Sequence, residues 1–267
     1  MSERLLDLKG LRLSVVIPVY NERATIEEIL RRVEATGLAH EIIVVDDFST
    51  DGTREILQRL PRATAQGGCA TKLRLLLHQR NQGKGRALRT GFDAATGDII
   101  LIQDADLEYA PSDYPALLKP IVDGVADVVI GSRFLGGPHR VLYFWHQLGN
   151  RLLTTFSNML TNLNLSDMEC CYKVFRAEVL RRLVLRSDRF GIEPELVARV
   201  AQLGCRIYEV PVSYHGRDYA HGKKITWRDG LAALWHILRF SLTRPPLRPA
   251  APPASPPAAG PGGRPER

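Results

Sequence analysis

The sequence predicts an α/β fold built on a doubly wound, mostly parallel sheet, and three observations carry that expectation. Short runs rich in Val, Ile and Leu alternate with stretches whose apolar residues recur at helical spacing. Each run closes on a cluster of polar residues, as strands feeding surface loops do. Ile99 to Ile102 is continuously apolar behind Gly97 and Asp98, which suits a central strand covered on both faces.

Leu13 to Val19 is the first strand, and Asn21 is expected to cap a helix whose Ile26, Ile29, Leu30 and Val33 share one face. Glu41 to Val45 repeats the pattern, followed by the loop Asp46 to Gly52 and a helix carrying Ile56, Leu57 and Leu60. Arg62 to Lys72 is Ala- and Gly-rich without a pattern and reads as a surface loop. Leu73 to Leu77 is the next strand and Gly85 to Ala95 the next helix. After Ile99 to Ile102 come a Pro-started helix, Pro111 to Val122, and a strand from Ala126 to Ile130.

A chain of 267 residues with 45% hydrophobic content is long enough for one sizeable core. The expected organisation is one folded domain over residues 1–240 and a disordered tail over 241–267, whose Pro, Ala and Gly cannot bury enough apolar surface to offset chain entropy. A net charge of +7 and a pI near 9.4 favour anionic partners. A nucleic-acid module with interleaved aromatic and basic residues is missing, so no nucleic acid is expected as partner. Cys69, Cys170, Cys171 and Cys205 have neither zinc-site nor disulfide-framework spacing, which fits a reducing cytosol. Residues 1–10 carry no apolar leader segment, and no run of 18 apolar residues predicts a membrane span.

The strand-end loops hold the polar residues: Tyr20-Asn21-Glu22, Asp46-Asp47, Asn81 to Lys84, Asp104-Ala105-Asp106 and Ser132-Arg133. Open α/β sheets collect ligands at that edge. Asp104 and Asp106 repel each other unless a cation lies between them, and two hard carboxylates suit Mg²⁺ or Mn²⁺ held jointly with phosphate oxygens. An Asp-x-Asp alone could also be a capped strand end; five converging loops favour a nucleotide site. Gln82-Gly-Lys84-Gly lacks P-loop spacing, and no G-x-G-x-x-G follows the first strand.

Taken together, Val-Ile-Pro18-Val-Tyr20-Asn21-Glu22, Val45-Asp46-Asp47-Phe-Ser-Thr-Asp51-Gly, Asn81-Gln-Gly-Lys84-Gly, Gln-Asp104-Ala-Asp106-Leu-Glu108 and Gly-Ser-Arg133 resemble the family 2 glycosyltransferases of GT-A fold, and among them the polyprenyl-phosphate sugar synthases. The resemblance runs from about Leu13 to about Gly230. It implies a metal-dependent, inverting transfer of a hexose from a nucleotide-sugar of GDP-mannose or UDP-glucose type to a polyprenyl phosphate. The setting it implies is peripheral, on the cytoplasmic inner face of the membrane, with a membrane-protein partner possible. The alternative is a saccharide or other hydroxyl acceptor in cell-envelope polysaccharide synthesis. By resemblance Pro18, Tyr20, Glu22, Val45 and Asp47 hold the nucleoside, and Asp104, Ala105 and Asp106 the diphosphate and the Mg²⁺ or Mn²⁺ ion, with Lys84 and Arg133 lining the donor site. Glu108 stands where the mannose synthases usually carry Gln.

Further along, Leu142, Trp145, Leu148, Leu152, Phe156, Met159 and Leu160 share a helical period over Val141 to Leu163, and Trp227 to Phe240 repeats the arrangement. Each is either an interfacial helix or an ordinary helix packed on the domain, and the resemblance tilts both toward the membrane. Asp167, Glu193 and Glu195 sit in motif-like settings as either ion-paired residues or a general base, and Glu195 aligns with a family glutamate expected to be catalytic. Arg206 to Val212 is a strand. Arg217 and Lys223 reproduce the family's Arg and Lys six residues apart that close over phosphates, and with Asp106 they complete the expected catalytic set. His215 and His221 lack a third ligand. A phosphate monoester with a second pKa of about 6 is already anionic near neutrality and needs no general base, whereas a hydroxyl acceptor does.

Overall fold

β1 (Leu13–Val19) is buried along its whole length and divides the molecule into two cores. Its side chains alternate across the sheet: Val15, Ile17 and Val19 face one apolar cluster and Val16 the other. The computed structural model describes residues 7–60, 63–66, 69–136, 144–216, 227–243 and 247. Arg217, Lys223, His221 and, apart from Leu247, the tail beyond Thr243 lie outside the described residues.

The other strands are β2 (Ala39–Asp46), β3 (Ala63–Gln66), β4 (Cys69–Leu77), β5 (Ile99–Ile102), β6 (Val128–Ser132), β7 (Lys173–Arg176) and β8 (Ile207–Pro211). Among the described residues they form one eight-stranded sheet in the order β3-β4-β2-β1-β5-β7-β6-β8. β2, β4 and β5 run parallel to β1 or its neighbours, and β6 pairs parallel with β8. Only β3 and β7 run against the rest, β3 at the edge and β7 between β5 and β6. The expected mostly parallel sheet is therefore present, with β7 an insertion that no periodicity announced.

One face is covered by α1 (Ile26–Ala35) and α4 (Tyr114–Val122), which contribute Ile26, Ile29, Leu30, Val33, Leu117, Leu118 and Ile121. The other face receives α3 (Lys84–Ala94), α6 (Ala177–Arg182) and α7 (Ile192–Gln202), through Leu88, Leu180, Ile192 and Leu196. α2 (Thr53–Arg59) follows β2, and the long helices α5 (Phe144–Thr161) and α8 (Trp227–Leu242) pack on each other and on α7. Among the described residues no helix is long and apolar enough to cross a membrane.

Two sequence expectations are corrected. Part of Arg62 to Lys72 is an antiparallel pairing of β3 with β4, matched from Ala63↔Lys72 to Gln66↔Cys69. The sequence Ala63-Thr-Ala-Gln66 gives no apolar alternation from which a strand could be read, whereas the pairing shows in the backbone ladder. Asn21 does not cap α1, which begins at Ile26 behind Thr25. It adopts a left-handed φ of 56° and accepts a hydrogen bond from the Thr50 amide at 2.8 Å, so the residue type chosen for capping serves a loop instead.

α3 lies close enough to β1 that a Cβ on Gly91 would meet Val16 Cγ1 at 2.3 Å. Gly91→Ala is expected to destabilise the fold by about 1–3 kcal/mol through overpacking, lowering the thermal midpoint by several degrees. An unchanged melting curve would show that the helix can shift away from the sheet.

Candidate functional site

The chain steps outward from β1 to β2 and β4, then returns to the far side of β1 as β5, so the strand order reverses between β1 and β5. The carboxyl ends of the strands at that reversal are where open α/β sheets bind ligands, and the loops after β1, β2, β4 and β5 meet there. Asn21 and Glu22 donate their amides to Ser49 Oγ at 2.9 Å and Thr53 Oγ1 at 3.0 Å, which ties the first two loops together. Of the residues expected at the nucleoside, Pro18 and Val45 are buried, Glu22 is half-buried and Tyr20 presents 49% of its surface.

Asp47 has another engagement. Its buried carboxylate accepts the amides of Gln82 at 2.9 Å and Gly83 at 2.6 Å and lies 2.7 Å from His78 Nδ1. These bonds hold the loop that delivers Lys84. The same loop is clasped from outside: a Cβ on Gly83 would lie 2.5 Å from the Asp188 carbonyl and one on Gly85 2.4 Å from that of Ser187, so only glycine fits at either place. Arg86 donates its amide to the Asp188 carbonyl at 3.0 Å. Glu195, fully buried on α7, accepts the amides of Arg186 at 2.9 Å and Ser187 at 2.7 Å. As placed, Glu195 sets the backbone that clasps the start of α3.

β5 is followed by Gln103, whose Oε1 accepts the hydroxyls of Tyr114 and Tyr172, both at 2.8 Å, while its Nε2 donates to the Asp104 carbonyl at 3.0 Å. The next residues are thereby aimed. Asp104 lies 2.8 Å from Lys84 Nζ, and the same ammonium lies 3.4 Å from Glu193 Oε1 and 3.1 Å from Cys171 Sγ. Burial works against both charges, but their mutual attraction prevails, holding the Asp104 carboxyl below its usual range and the Lys84 ammonium well above its own. Ala105 is buried; Asp106 is half-buried and accepts the Glu108 amide at 3.1 Å, with Leu107 turned to a φ of 63°. Tyr214 donates to Glu108 Oε2 at 3.1 Å and the His215 amide to the Glu108 carbonyl at 2.8 Å. The chain leading to Gly216 is thus fastened beside the Asp104 to Glu108 loop.

Arg133 forks onto Asp167 at 2.6 and 2.7 Å and lies 5.2 Å from the Tyr214 ring centre. Asp167, Glu193 and Glu195, named above as base candidates, are all already paired: Asp167 with Arg133, Glu193 with Lys173 and Lys84, and Glu195 with two amides and Arg199 at 3.6 Å. Two residues had no sequence signal of their own. Lys173 is fully buried at the start of β7 and donates to Glu193 and to the Met168 carbonyl at 3.2 Å. Glu169 is a carboxyl whose Oε1 is buried without a hydrogen-bond partner. Burial, reinforced by Glu193 and Asp167 and only partly offset by Lys173 and Arg133, pushes it up to about 7.

Among the described residues no group of three or more His, Cys, Asp or Glu converges to enclose a metal. Asp104 and Asp106 still fit one, because the Lys84 ammonium already supplies a positive charge to Asp104 and two carboxylates suit an ion completed by diphosphate oxygens and water.

The model of the family Glycosyl transferase family 2 matches residues 14–184. The chain is 33% identical over 239 residues to the undecaprenyl-phosphate 4-deoxy-4-formamido-L-arabinose transferase of Pseudomonas paraeruginosa, covering 88% of this chain and 66% of that protein. It is 29% identical over 220 residues to the dodecaprenyl-phosphate galacturonate synthase of Rhizobium johnstonii, covering 81% of this chain and 62% of the relative. It therefore spans just under two thirds of the length of these relatives. In fold it is similar to the glucosyl-3-phosphoglycerate synthase of Mycobacterium tuberculosis crystallised with Mn²⁺, UDP and glucosyl-3-phosphoglycerate, with a TM-score of 0.66, 21% identity and coverage of 88% of this chain and 80% of that one.

Glu169 sets a pH signature. An unfolded glutamate ionises near 4.5, and the folded one near 7, so folding pays no penalty below the first value, and stability is lost as pH rises through the second. Glu169→Gln is accordingly expected to raise the melting temperature at pH 8, by an amount on the order of 2–3 kcal/mol in stability, and to leave it little changed at pH 4.5. An equal effect at both pH values would show that this carboxyl does not titrate with a raised pKa.

Proposed function

The chain belongs to glycosyl transferase family 2, and we propose that it moves a hexose from a nucleotide-sugar of GDP-mannose or UDP-glucose type to a polyprenyl phosphate on the cytoplasmic face of a membrane. The observation that carries this reading is the paired aspartates at the end of β5, above the strand-order reversal and with a lysine on one of them. Relatives whose names specify polyprenyl-phosphate acceptors support the acceptor class.

In this reading Tyr20 and Glu22 lie along the nucleoside, with Pro18 and Val45 as the buried floor beneath and Asp47 fixing the adjoining loop. Asp104 and Asp106 hold Mg²⁺ or Mn²⁺, which when bound stabilises negative charge on the departing nucleoside diphosphate. Lys84, paired with Asp104, and Arg133, held in a fork by Asp167, would supply positive charge to the diphosphate. Arg217 and Lys223 close over the phosphates, starting from the segment that Glu108 fastens at Tyr214 and His215. Glu195 acts through the Ser187 to Asp188 backbone as a positioning residue rather than as a base. The acceptor phosphate oxygen displaces the nucleotide in one step and inverts the anomeric centre, and its own negative charge removes the need for a base.

The membrane contact is assigned to α5 and α8. Trp145 and Trp235 expose 76% and 60% of their surfaces, more than a helix packed only on its own domain requires, and Phe144, Leu152, Met159, Leu231 and Leu242 are exposed with them. Arg151 and Arg239 are exposed on the same two helices and complement anionic headgroups.

Asp106→Asn is expected to reduce transfer on the order of 10²–10³-fold while leaving the melting temperature nearly unchanged, and chelation of divalent ions should do the same to the wild type. Full activity in chelator would remove the metal from the mechanism. The acceptor is tested by supplying protein, Mn²⁺ and a panel of UDP-glucose and GDP-mannose with either a polyprenyl phosphate or the matching polyprenol. The phosphate should be glycosylated and the alcohol ignored; transfer to free saccharides but not to the lipid phosphate would move the protein to the hydroxyl-acceptor class.

A further inference from the structure

Three buried carboxylate oxygens among the described residues lack a hydrogen-bond partner: Oε1 of Glu169, of Glu193 and of Glu195. For two of them a cation lies close by, Lys84 at 3.4 Å from Glu193 and Arg199 at 3.6 Å from Glu195. Glu169 Oε1 has no hydrogen-bond partner, and among the described residues no ion pair is formed by Glu169. A buried acceptor left in that state costs stability, and such groups persist where a ligand completes them.

Its surroundings identify the ligand chemistry. Glu169 stands two residues after Asp167, which forks Arg133, and two before Cys171, whose Sγ touches the Lys84 ammonium that sits on Asp104. The charged groups around it are Glu193 on α7, Lys173 on β7, Arg133 after β6 and Asp167 on its own segment. It therefore borders the Lys84, Asp104 and Glu193 cluster without belonging to its ion pairs. A diphosphate held at Asp104 and Asp106 would carry its sugar on the distal phosphorus, and the Glu193 and Lys84 pair links Glu169 to that side of the site. The groups such a sugar offers are hydroxyls, and a carboxyl without a partner is an acceptor for one of them.

Resting on the donor site proposed above, we infer that Glu169 accepts a hydrogen bond from a hydroxyl of the transferred sugar and thereby helps to select which sugar is moved. Its unfilled oxygen is satisfied only when the sugar is in place. A donor that lacks that hydroxyl, or replaces it with a carboxylate, leaves the oxygen unpaired or repelled. Discrimination then comes from a cost imposed on the wrong sugar as much as from a bond to the right one.

The test measures equilibrium binding to the full chain in Mn²⁺ at pH 7.5, using UDP, UDP-glucose, GDP and GDP-mannose, for the wild type, Glu169→Ala and Glu169→Gln. In the wild type the preferred nucleotide-sugar should bind tighter than its own nucleoside diphosphate. Glu169→Ala should erase about tenfold to a hundredfold of that difference and leave nucleoside diphosphate binding unchanged, which also reports that the site is folded. Glu169→Gln, which keeps an acceptor oxygen, should recover most of it. A deoxy analogue of the preferred donor should bind wild type and Glu169→Ala equally at one sugar position and at no other.

Loss of nucleoside diphosphate binding in both variants would make Glu169 a structural residue and overturn the inference. Unaltered donor binding with turnover reduced only when acceptor is present would place Glu169 at the acceptor, which overturns it as well. Wild-type protein that binds none of the four nucleotides would instead sink the donor-site reading on which this inference stands.

Discussion

Everything at the carboxyl edge of the sheet depends on keeping a negative charge stable at the end of an apolar strand. Asp104 follows four fully buried residues, and a carboxylate so placed is held in its charged form by the Lys84 ammonium 2.8 Å away. The lysine in turn is useful only if its backbone is fixed, and two separate carboxylates do that. Asp47 binds the amides that precede it, and Glu195 braces the Ser187 to Asp188 backbone against Gly83 and Gly85. Gln103 secures the other side by gathering two tyrosine hydroxyls and the Asp104 carbonyl.

The acids of this region divide by what satisfies them. Asp47, Asp167 and Glu195 accept backbone amides or a guanidinium fork, and Glu193 bridges two lysines. Such groups are spent on architecture, since reprotonating or removing them leaves buried donors without partners. Asp104 is held by the Lys84 ammonium, while Glu169 keeps a buried oxygen without a hydrogen bond, the feature on which the inference above rests. A transferase for a polyhydroxylated donor needs both kinds of carboxyl, rigid ones to aim the phosphate-binding groups and an unfilled one to read the sugar.

The α5 and α8 pair extends the same logic to the outside. Leu153, Phe156, Leu160 and Ile237 pack against the core beneath the sheet, while Trp145, Trp235 and their neighbours remain exposed. A helix that buries one stripe and exposes another apolar stripe has a second surface to satisfy, which is the surface the proposed function gives to the membrane.

The sequence by itself determined the sheet class and the strand-loop-helix units of its first half, because fully apolar runs such as Ile99–Ile102 and periodic helices such as Ile26 to Val33 declare their environment locally. It also located the Asp104, Asp106 and Lys84 loops, since strand ends in an open parallel sheet share one edge. Only the tertiary structure decided that β7 enters antiparallel between β5 and β6, that Ala63–Gln66 pairs with β4, and that Asn21 serves a loop. These are settled by backbone partners distant in the chain, which leave no period in the residues themselves. The same holds for the acids: Glu195 and Glu169 are both glutamates in unremarkable sequence, and what separates them is that Glu195 accepts two amides of a loop eight and nine residues earlier whereas Glu169 Oε1 is buried without a hydrogen bond.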